Sequence, residues 1–353
     1  MKSYQLKNLN VTNSIFLIAS PIIAVLGTAW WLSQDGFSWG IVLMTIIFYY
    51  ATGMGITVGY HRLFAHRSYK TNGFVKAILL IFGGCALQNS ALKWCNDHRV
   101  HHGKVDTEQD PYNINEGFFY AHMGWILLQE DIENYKFSKD LLNDPLIMLQ
   151  HKFYLPMIIF FSFIFPGFLG HVLFDSFLGG FFVAGFLRVV IVHHFTFFIN
   201  SLCHMLGNRP YDKKQTARDS WVMALFTFGE GYHNFHHTFQ SDYRNGIKFY
   251  HYDPTKWAIK SLSLLGLAHS LKVTKQEIIL EKQIRASLES IEKSSTLSER
   301  LDEKIAYLKD EFNQIIQDIH RSGQENKEAL TNRMQEIILE LREITSQVQV
   351  VHA

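Results

Sequence analysis

Four long apolar segments lie within the first 200 residues of the chain. They lie near residues 13–32, 39–59, 154–174 and 177–199, and each can cross a hydrocarbon layer of about 30 Å at about 1.5 Å per residue. A fifth apolar stretch, 73–92, contains two adjacent glycines and two side-chain amides, which favours an interfacial or re-entrant helix there. The pattern predicts an all-α integral membrane protein with four transmembrane helices.

The links between these segments predict the orientation in the membrane. Links 33–38 and 175–176 are short, each contains an aspartate, and neither carries lysine or arginine. By the positive-inside rule they face away from the cytoplasm. Both termini and the polar segments 60–152 and 200–280 then share the cytoplasmic side, where we expect a helical cap that completes a membrane domain over residues 1–280.

The tail, residues 281–353, is polar and charged, with apolar positions at heptad spacing. The first stripe is Leu301, Ile305, Leu308, Phe312, Ile315 and Ile319, and the second is Leu330, Met334, Ile337, Leu341, Ile344 and Val348. Thr296 and Glu299 match a capping box at the start. The register slips around Ser322-Gly323, so the pattern allows a helical hairpin or a broken coiled coil. It also allows pairing with a second copy of the chain.

Nine histidines fall into short clusters that predict a metal site. They are His61 and His66, then His98, His101 and His102, then His204, and finally His233, His236 and His237. Imidazole binds iron, zinc, copper and nickel, and residues at i, i+3 and i+4 share one helix face. Because a structural zinc closes at four ligands, nine rings favour two metal ions. A basic surface run is the alternative, but the clusters adjoin long apolar stretches.

Charge and cysteine content narrow the function further. The formal net charge is +1, which gives no support for nucleic-acid binding. The three cysteines, Cys85, Cys95 and Cys203, have no paired spacing. A disulfide framework is therefore not expected, and a reducing cytoplasmic face fits the composition.

Four motifs carry a resemblance to a known family. They are Gly-Tyr-His-Arg-Leu-Phe-Ala-His at 59–66, Asp-His-Arg-Val-His-His at 97–102, Asn-Ser-Leu-Cys-His at 200–204 and Gly-Glu-Gly-Tyr-His-Asn-Phe-His-His at 229–237. Their sequence and spacing resemble the integral-membrane fatty acid desaturases, most of all the acyl-CoA delta-9 (stearoyl-CoA) branch and its bacterial relatives. The resemblance runs from about residue 10 to 280, and the tail lies outside it.

The resemblance implies two irons and assigns their ligands. One iron would take His61, His66, His98, His102 and His236, and the other would take His101, His204, His233 and His237, with Asn200 holding a water. The resemblance also implies an acyl-chain tunnel that Asn89, Asp97 and Phe197 contact. Since zinc displaces iron readily at imidazole ligands, overproduced protein can hold zinc instead.

The implied activity agrees with elementary chemistry. Removing hydrogen from an unactivated methylene requires an oxidant stronger than any side chain, so a metal cofactor with O2 must supply it. The resemblance implies a cis double bond, at delta-9, in a saturated long-chain acyl thioester. Acyl-CoA is the expected carrier. Asn96 stands where animal members have a CoA-contacting arginine, so acyl carrier protein or a phospholipid is an open alternative.

The electron source and the location follow from the same resemblance. The sequence has no haem motif and no iron–sulfur cysteine run. We therefore expect a separate donor, a ferredoxin, a flavodoxin or a cytochrome b5-like protein, together with its reductase. The expected location is a bacterial inner membrane, with the metal site on its cytoplasmic face. The tail offers a route to a homo-oligomer.

Two other functions would use similar residues. A membrane fatty acyl or alkane hydroxylase also has a polyhistidine di-iron site, but its motifs are spaced differently. A transporter or other non-enzymatic metal-binding membrane protein would place its polar ligands at mid-membrane depth. Here the ligands lie at and beyond the helix ends, which disfavours transport.

Several further side chains carry weaker expectations. Thr45 and Tyr49 lie one turn apart in the second segment, and their size would limit chain length if the tunnel ends there. Arg188 lies inside an apolar helix, where charge is costly, and we favour a buried structural partner over a substrate role. His193 and His194 could line the tunnel, but we favour structural roles for both.

Carboxylates beside the histidine motifs have two interpretations. Asp97, Asp106, Asp110 and Glu230 could accept the outer ring N–H of the ligands, as carboxylates commonly do around protein-bound metals. They could equally be solvated groups in loops. Sequence alone gives the two interpretations equal weight.

Overall fold

Four helices of the computed structural model are long and apolar enough to cross a membrane. The structure describes residues 9–128, 135–292, 299–321 and 324–351. The four candidate spans are Val11–Gln34, Trp39–Ala65, Tyr154–Phe174 and Gly179–His204. The predicted fold class is confirmed, and the second and fourth spans continue past their predicted ends into the histidine motifs.

The membrane domain and the cap contain twelve α-helices among the described residues. In chain order these are α1 (Val11–Gln34), α2 (Trp39–Met54), α3 (Gly73–Gly84), α4 (Ala91–Lys104), α5 (Trp125–Leu127), α6 (Pro145–Lys152), α7 (Tyr154–Ile159), α8 (Phe165–Phe174), α9 (Arg188–Asn200), α10 (Trp221–Phe226), α11 (His233–Thr238) and α12 (Pro254–Leu264). The π-helical segments are Gly55–Ala65, Tyr120–Gly124, Phe160–Ile164 and Gly179–Leu187, and the 3-10 turns are Ile114–Glu116, Leu141–Asn143 and Leu202–His204.

A two-stranded antiparallel sheet joins the C-terminal part of the cap to its N-terminal part. Strands β1 (Lys70–Thr71) and β2 (Ala268–His269) pair with Lys70 opposite His269. The Thr71 hydroxyl also donates to the carbonyl of Leu267 at 2.6 Å. The histidine motifs before and after the last two spans are thereby brought into one cap.

The short helix α3 lies directly against the second span at a pair of glycines. Its 12 residues extend about 18 Å, too short to cross the membrane. The expectation of a re-entrant or interfacial helix stays a prediction. A Cβ atom on Gly55 would overlap the backbone of Phe82 and Gly83. The close approach therefore requires glycine at residue 55, where the π-helical segment that leads to His61 begins.

The tail folds back on itself within one chain. Its helices are α13 (Gln276–Glu292), α14 (Glu299–Arg321) and α15 (Gln324–Val351). The buried core takes residues from all three, namely Leu280, Ile284, Leu288, Ile291, Ile305, Leu308, Phe312, Ile315, Ile319, Met334, Ile337, Ile338, Leu341 and Ile344. Leu301 and Leu330 pack on its edge. Of the two tail geometries that the heptads allow, the structure has a hairpin, which α13 completes to a three-helix bundle.

Three sequence expectations for the tail lie outside the described residues. They are Thr296 of the capping box, the register slip at residues 322–323 and the side chain of Val348.

The domain boundary expected after residue 280 falls within α13. Ile279 of α13 packs with Tyr211, Phe235 and Phe239 of the cap. The following turn of α13 packs against α15.

We expect the tail bundle to depend on Leu341. Leu341 is fully buried in the bundle, whereas Leu339 on the same helix is 62% exposed. Leu341→Ala is expected to cost about 2–5 kcal/mol of local stability, because it removes buried methyl groups and leaves a cavity. Hydrogen exchange of α15 amides in the full-length chain measures this. Faster exchange in Leu341→Ala than in Leu339→Ala supports the bundle, and equal exchange contradicts it.

Candidate metal centre and substrate cavity

The nine motif histidines converge in two groups beneath the cap. The first group is His61, His66, His98, His102 and His236, and the second is His101, His204, His233 and His237. Within each group the nearest ring nitrogens all lie within 4.8 Å of one another. The groups have the same members as the two ligand sets that the resemblance implies.

Different elements bring these rings together. His61 lies on the π-helical end of the second span, three rings come from α4, and His204 ends the fourth span. Helix α11, with six residues, is too short to be stable alone. The Asn234 side chain anchors it, because its oxygen accepts the Tyr211 N–H at 2.9 Å and its amide donates to the Ala217 carbonyl at 3.0 Å.

The inner nitrogens of the rings face one another at short range. In the first group, the Nε2 atoms of His61 and His236 are 3.0 Å apart, and those of His66 and His98 are 2.8 Å apart. In the second group, the Nε2 atom of His233 lies 3.1 Å from that of His204. Opposed imidazole nitrogens at this spacing present lone pairs toward a common centre once the outer nitrogens carry the ring hydrogens.

Carboxylates on the outside of the second group hold two rings in that tautomer. His101 Nδ1 lies 2.8 Å from Asp110 Oδ1, and because an ionised carboxylate only accepts, the hydrogen is on Nδ1. His204 Nδ1 lies 2.7 Å from Thr216 Oγ1, whose own hydrogen is donated to Asp106. Both Nε2 atoms are therefore free to bind a metal, as in many metal sites where a carboxylate orients the ligand.

A buried ion cluster supports the first group. The Arg62 guanidinium donates to Glu230 Oε1 at 3.1 Å, to Asp253 Oδ1 at 3.0 Å and to the Tyr243 carbonyl at 2.6 Å. Glu230 Oε2 lies 3.1 Å from His61 Nδ1. Burial raises the pKa of the Glu230 carboxyl, but His61 and Arg62 outweigh it and hold this pKa below its usual value. Glu230 is thus an ionised neighbour of the His61 ring, held in place by Arg62.

The electrostatics of the groups suit a bound cation. Burial, with a further contribution from neighbouring histidines, lowers the pKa of six rings outside the spans well below the ordinary value, namely His66, His98, His102, His233, His236 and His237. These rings are neutral at pH 7, the form that binds a transition metal. Two sets of buried or half-buried, mutually facing imidazoles fit two divalent ions of the first transition row.

A cavity of about 480 Å³ opens onto both groups. Its lining includes His61, His98, His101, His233 and Asn200. Asn89, Asp97 and Phe197, the residues expected to contact the acyl chain, also line it. The Asp97 carboxylate lies 3.8 Å from the Lys93 ammonium. The cavity is otherwise mostly apolar, and residues of α1 and α7 contribute to its lining.

Sequence reasoning missed a polar bridge across this cavity. The Gln88 amide donates to Thr196 Oγ1 at 3.0 Å, and the Trp94 indole donates to Gln88 Oε1 at 3.3 Å. The Trp94 ring stacks on His98 with centroids 4.7 Å apart, and His98 Nδ1 lies 3.3 Å from the Tyr112 hydroxyl. These residues carry no motif spacing of their own, and only long-range packing brings them together.

Two residues with expected substrate roles do not line the described cavity. Thr45 donates to the Ile41 carbonyl within its own helix, and the Tyr49 hydroxyl donates to the carbonyl of Phe226 at 3.0 Å. Neither is among the lining residues, so the chain-length role expected for them has no support from this geometry. Asn96 is buried and accepts the Phe137 N–H at 3.1 Å, away from the cavity.

The remaining polar residues of the fourth span separate into two kinds. Arg188 is fully buried, and its guanidinium donates hydrogen bonds to three backbone carbonyls and to the Thr52 hydroxyl. This is the structural role favoured above. His193 lines the cavity, whereas His194 faces His122, their ring nitrogens 3.1 Å apart. The structural role favoured for His193 therefore does not describe it fully, because its side chain also lines the cavity.

We expect Asp110→Asn to weaken the second metal site selectively. Loss of the charged acceptor at His101 Nδ1 should lower metal affinity there by about 10–100-fold. A chelator titration of the purified protein measures this as earlier loss of one ion per chain. Asp175→Asn is the matched control, because Asp175 is 98% exposed at a hairpin turn. Equal metal retention in the two variants would contradict the assignment.

Comparisons with known proteins place the chain in a family. The family described as "Fatty acid desaturase" matches residues 37–269. A protein of Schizosaccharomyces pombe named "Probable acyl-CoA desaturase" is 42% identical over 75% of this chain, which spans only 55% of that relative's length. "Acyl-CoA desaturase 1" of Saccharomyces cerevisiae is 39% identical, and the chain spans 56% of it. The "sn-1 stearoyl-lipid 9-desaturase" of Anabaena variabilis is 34% identical, with 75% of this chain and 94% of the relative covered. The chain belongs to the fatty acid desaturase family.

Proposed function

We propose that the chain is an O2-dependent di-iron fatty acyl desaturase, an oxidoreductase that inserts a cis double bond into a saturated long-chain acyl thioester. The observation that carries this is the joint opening of two buried histidine groups onto one mostly apolar cavity. An acyl chain is the ligand that such a wall accommodates. The expected delta-9 position is supported by the names of several relatives.

The chain's own residues account for metal binding and substrate orientation. The two histidine groups would each hold one iron, with Asn200 at the open side of the second site. Bound iron with O2 supplies the oxidising power that no side chain provides. Glu230, Asp110 and Asp106 keep the rings oriented, and the cavity wall holds one pair of methylene carbons toward the metals. Holding the reacting carbons in place contributes both rate and selectivity.

The overall reaction balances with an external reductant. Each turnover removes two hydrogen atoms from adjacent carbons and consumes one O2, two electrons and two protons, and it releases two waters. The described residues include no motif for a second redox cofactor. A ferredoxin, a flavodoxin or a cytochrome b5-like protein with its reductase would deliver the electrons one at a time.

Acyl-CoA is the proposed carrier of the substrate. Several relatives are named acyl-CoA desaturases, although one relative is named for a lipid substrate. We place the protein in a membrane with both termini and the metal centre on the cytoplasmic face, in a bacterial inner membrane. The absence of lysine and arginine from the two short inter-helix links supports this orientation.

Fatty acid analysis of an expressing host tests the proposal. We expect gas chromatography–mass spectrometry to show a new cis monoene in cells grown with air, and none in anaerobic cells or in cells expressing His237→Ala. Hydroxylated chains in place of the monoene would assign the protein to the hydroxylases. Membrane-inserted protein that is loaded with iron and supplied with reductant, yet forms no oxidised product, would contradict the proposal.

A further inference from the structure

The loop between α3 and α4 has an unusual backbone where it lines the cavity. Leu87 and Asn89 have φ values of 53° and 76°, in the left-handed region that non-glycine residues seldom adopt. Both residues line the cavity. Such conformations persist where surrounding contacts impose them, and they concentrate at functional sites. The contacts that hold this loop therefore indicate what it does.

The fourth span holds this loop through three successive hydrogen bonds. The Arg188 guanidinium donates to the Cys85 carbonyl at 2.6 Å, and Gln88 donates to Thr196 as described above. Between them, His193 Nε2 lies 2.7 Å from the Ala86 carbonyl oxygen. One helix thus fixes loop residues 85, 86 and 88 in register.

His193 has the chemistry required of the central contact. A carbonyl oxygen only accepts, so Nε2 of His193 carries the hydrogen and donates it. The ring is buried, with 4% of the residue exposed, and it packs against Phe197 with centroids 5.4 Å apart. Ala86 is itself fully buried, so its carbonyl would lose its donor without gaining contact with bulk water.

Gln88 links the loop to the metal centre. Gln88 accepts the indole N–H of Trp94, and the Trp94 ring stacks on His98 of the first group. A shift of the loop therefore moves the cavity wall beside that group. Neighbouring methylene pairs of an acyl chain are chemically alike, so the shape of the wall beside the metals helps to decide which pair meets them.

We propose that His193 is a positioning residue that fixes the loop at residues 85–89 and thereby selects the carbon pair that becomes the double bond. This inference rests on the proposed desaturase function. It assigns a role to a titratable side chain that none of the histidine motifs contains. The role requires a hydrogen-bond donor at the reach of His Nε2 and does not require charge.

Double-bond positions in the products of His193 variants test the inference. His193→Phe keeps the aromatic packing and removes the donor, whereas His193→Gln places an N–H at the same number of bonds from Cβ. We expect the fraction of misplaced double bonds to rise about tenfold in His193→Phe, the size of effect expected from leaving one buried carbonyl unpaired. His193→Gln should retain the wild-type isomer ratio.

The control variant is the adjacent histidine. His194→Phe changes a ring that faces His122 outside the cavity lining, and we expect it to keep the wild-type isomer ratio. Metal content and membrane yield, measured on each variant, should be unchanged. If His193→Phe does not accumulate in the membrane, His193→Asn replaces it, since its amide is one bond too short to reach Ala86 and should also shift the isomers.

The outcomes separate the inference from the function on which it depends. A wild-type isomer ratio in His193→Phe or His193→Asn, with normal metal content, would overturn the role of His193 and leave the desaturase assignment intact. Equal shifts in His193→Phe and His194→Phe would overturn it as well, because the effect would not be specific to the loop contact. No monoene from the metal-loaded, reductant-supplied wild type would overturn both.

Discussion

Replacement of Arg62 by leucine is expected to destabilise the folded cap by about 3–5 kcal/mol, the cost of breaking a buried ion pair by removing one partner. Arg62 is 1% exposed, and its partners Glu230 and Asp253 are 3% and 0% exposed. Leucine would leave two buried carboxylates without their cation. Thermal unfolding of the purified protein in detergent measures the loss.

Two further variants show whether charge or geometry matters in this cluster. Arg62→Lys keeps the charge but not the planar fork that reaches both carboxylates, so we expect an intermediate loss. Arg333→Leu removes an arginine whose ion pairs lie at the surface of the tail, which should cost at most about 1 kcal/mol. Equal unfolding temperatures for Arg62→Leu and Arg333→Leu would contradict a supporting role for the buried cluster.

Valine at Gly55 is expected to lower desaturation by about 100-fold, the cost of a misplacement of about 1 Å in an active site. The new side chain would overlap the backbone of Phe82 and Gly83, so helix α3 and the second span must separate. The π-helical segment that carries His61 starts at this contact. Product formation per folded protein in membranes measures the effect.

A glycine at the opposite end of α3 provides the matched control. A Cβ on Gly73 would meet only the Leu146 side chain, at an ordinary contact distance of 3.8 Å. Gly73→Ala should therefore retain near wild-type activity. Normal activity in Gly55→Val would show that the close helix contact does not determine the position of His61.

The spacing of the histidine motifs predicted the centre because local geometry determines so much of it. His98, His101 and His102 share one face of α4 through helical periodicity alone. In contrast, Thr216 contacts His204 while its hydroxyl is held by Asp106, which lies 110 positions before Thr216 in the sequence. Sequence pattern contains no information on such a pairing, so these supporting residues became evident only in three dimensions.

The tail and the cavity show two other limits of sequence reasoning. The heptad stripes predicted two helices of the tail, but they did not predict that α13, whose residues lie outside the stripes, packs with both of them in a three-helix bundle. Tyr49 was expected, because of its size, to limit the acyl-chain length if the tunnel ends at the second span. In the structure a hydrogen bond to Phe226 turns its hydroxyl toward the cap.

The metal content of the purified full-length chain tests the central claim most directly. Elemental analysis by mass spectrometry should find two ions per chain, counted as iron plus zinc, since zinc can occupy such sites. His66→Ala, which changes the first group, and His204→Ala, which changes the second, should each retain one ion. A single ion in the wild type, or two ions retained in either variant, would contradict two separate histidine sites.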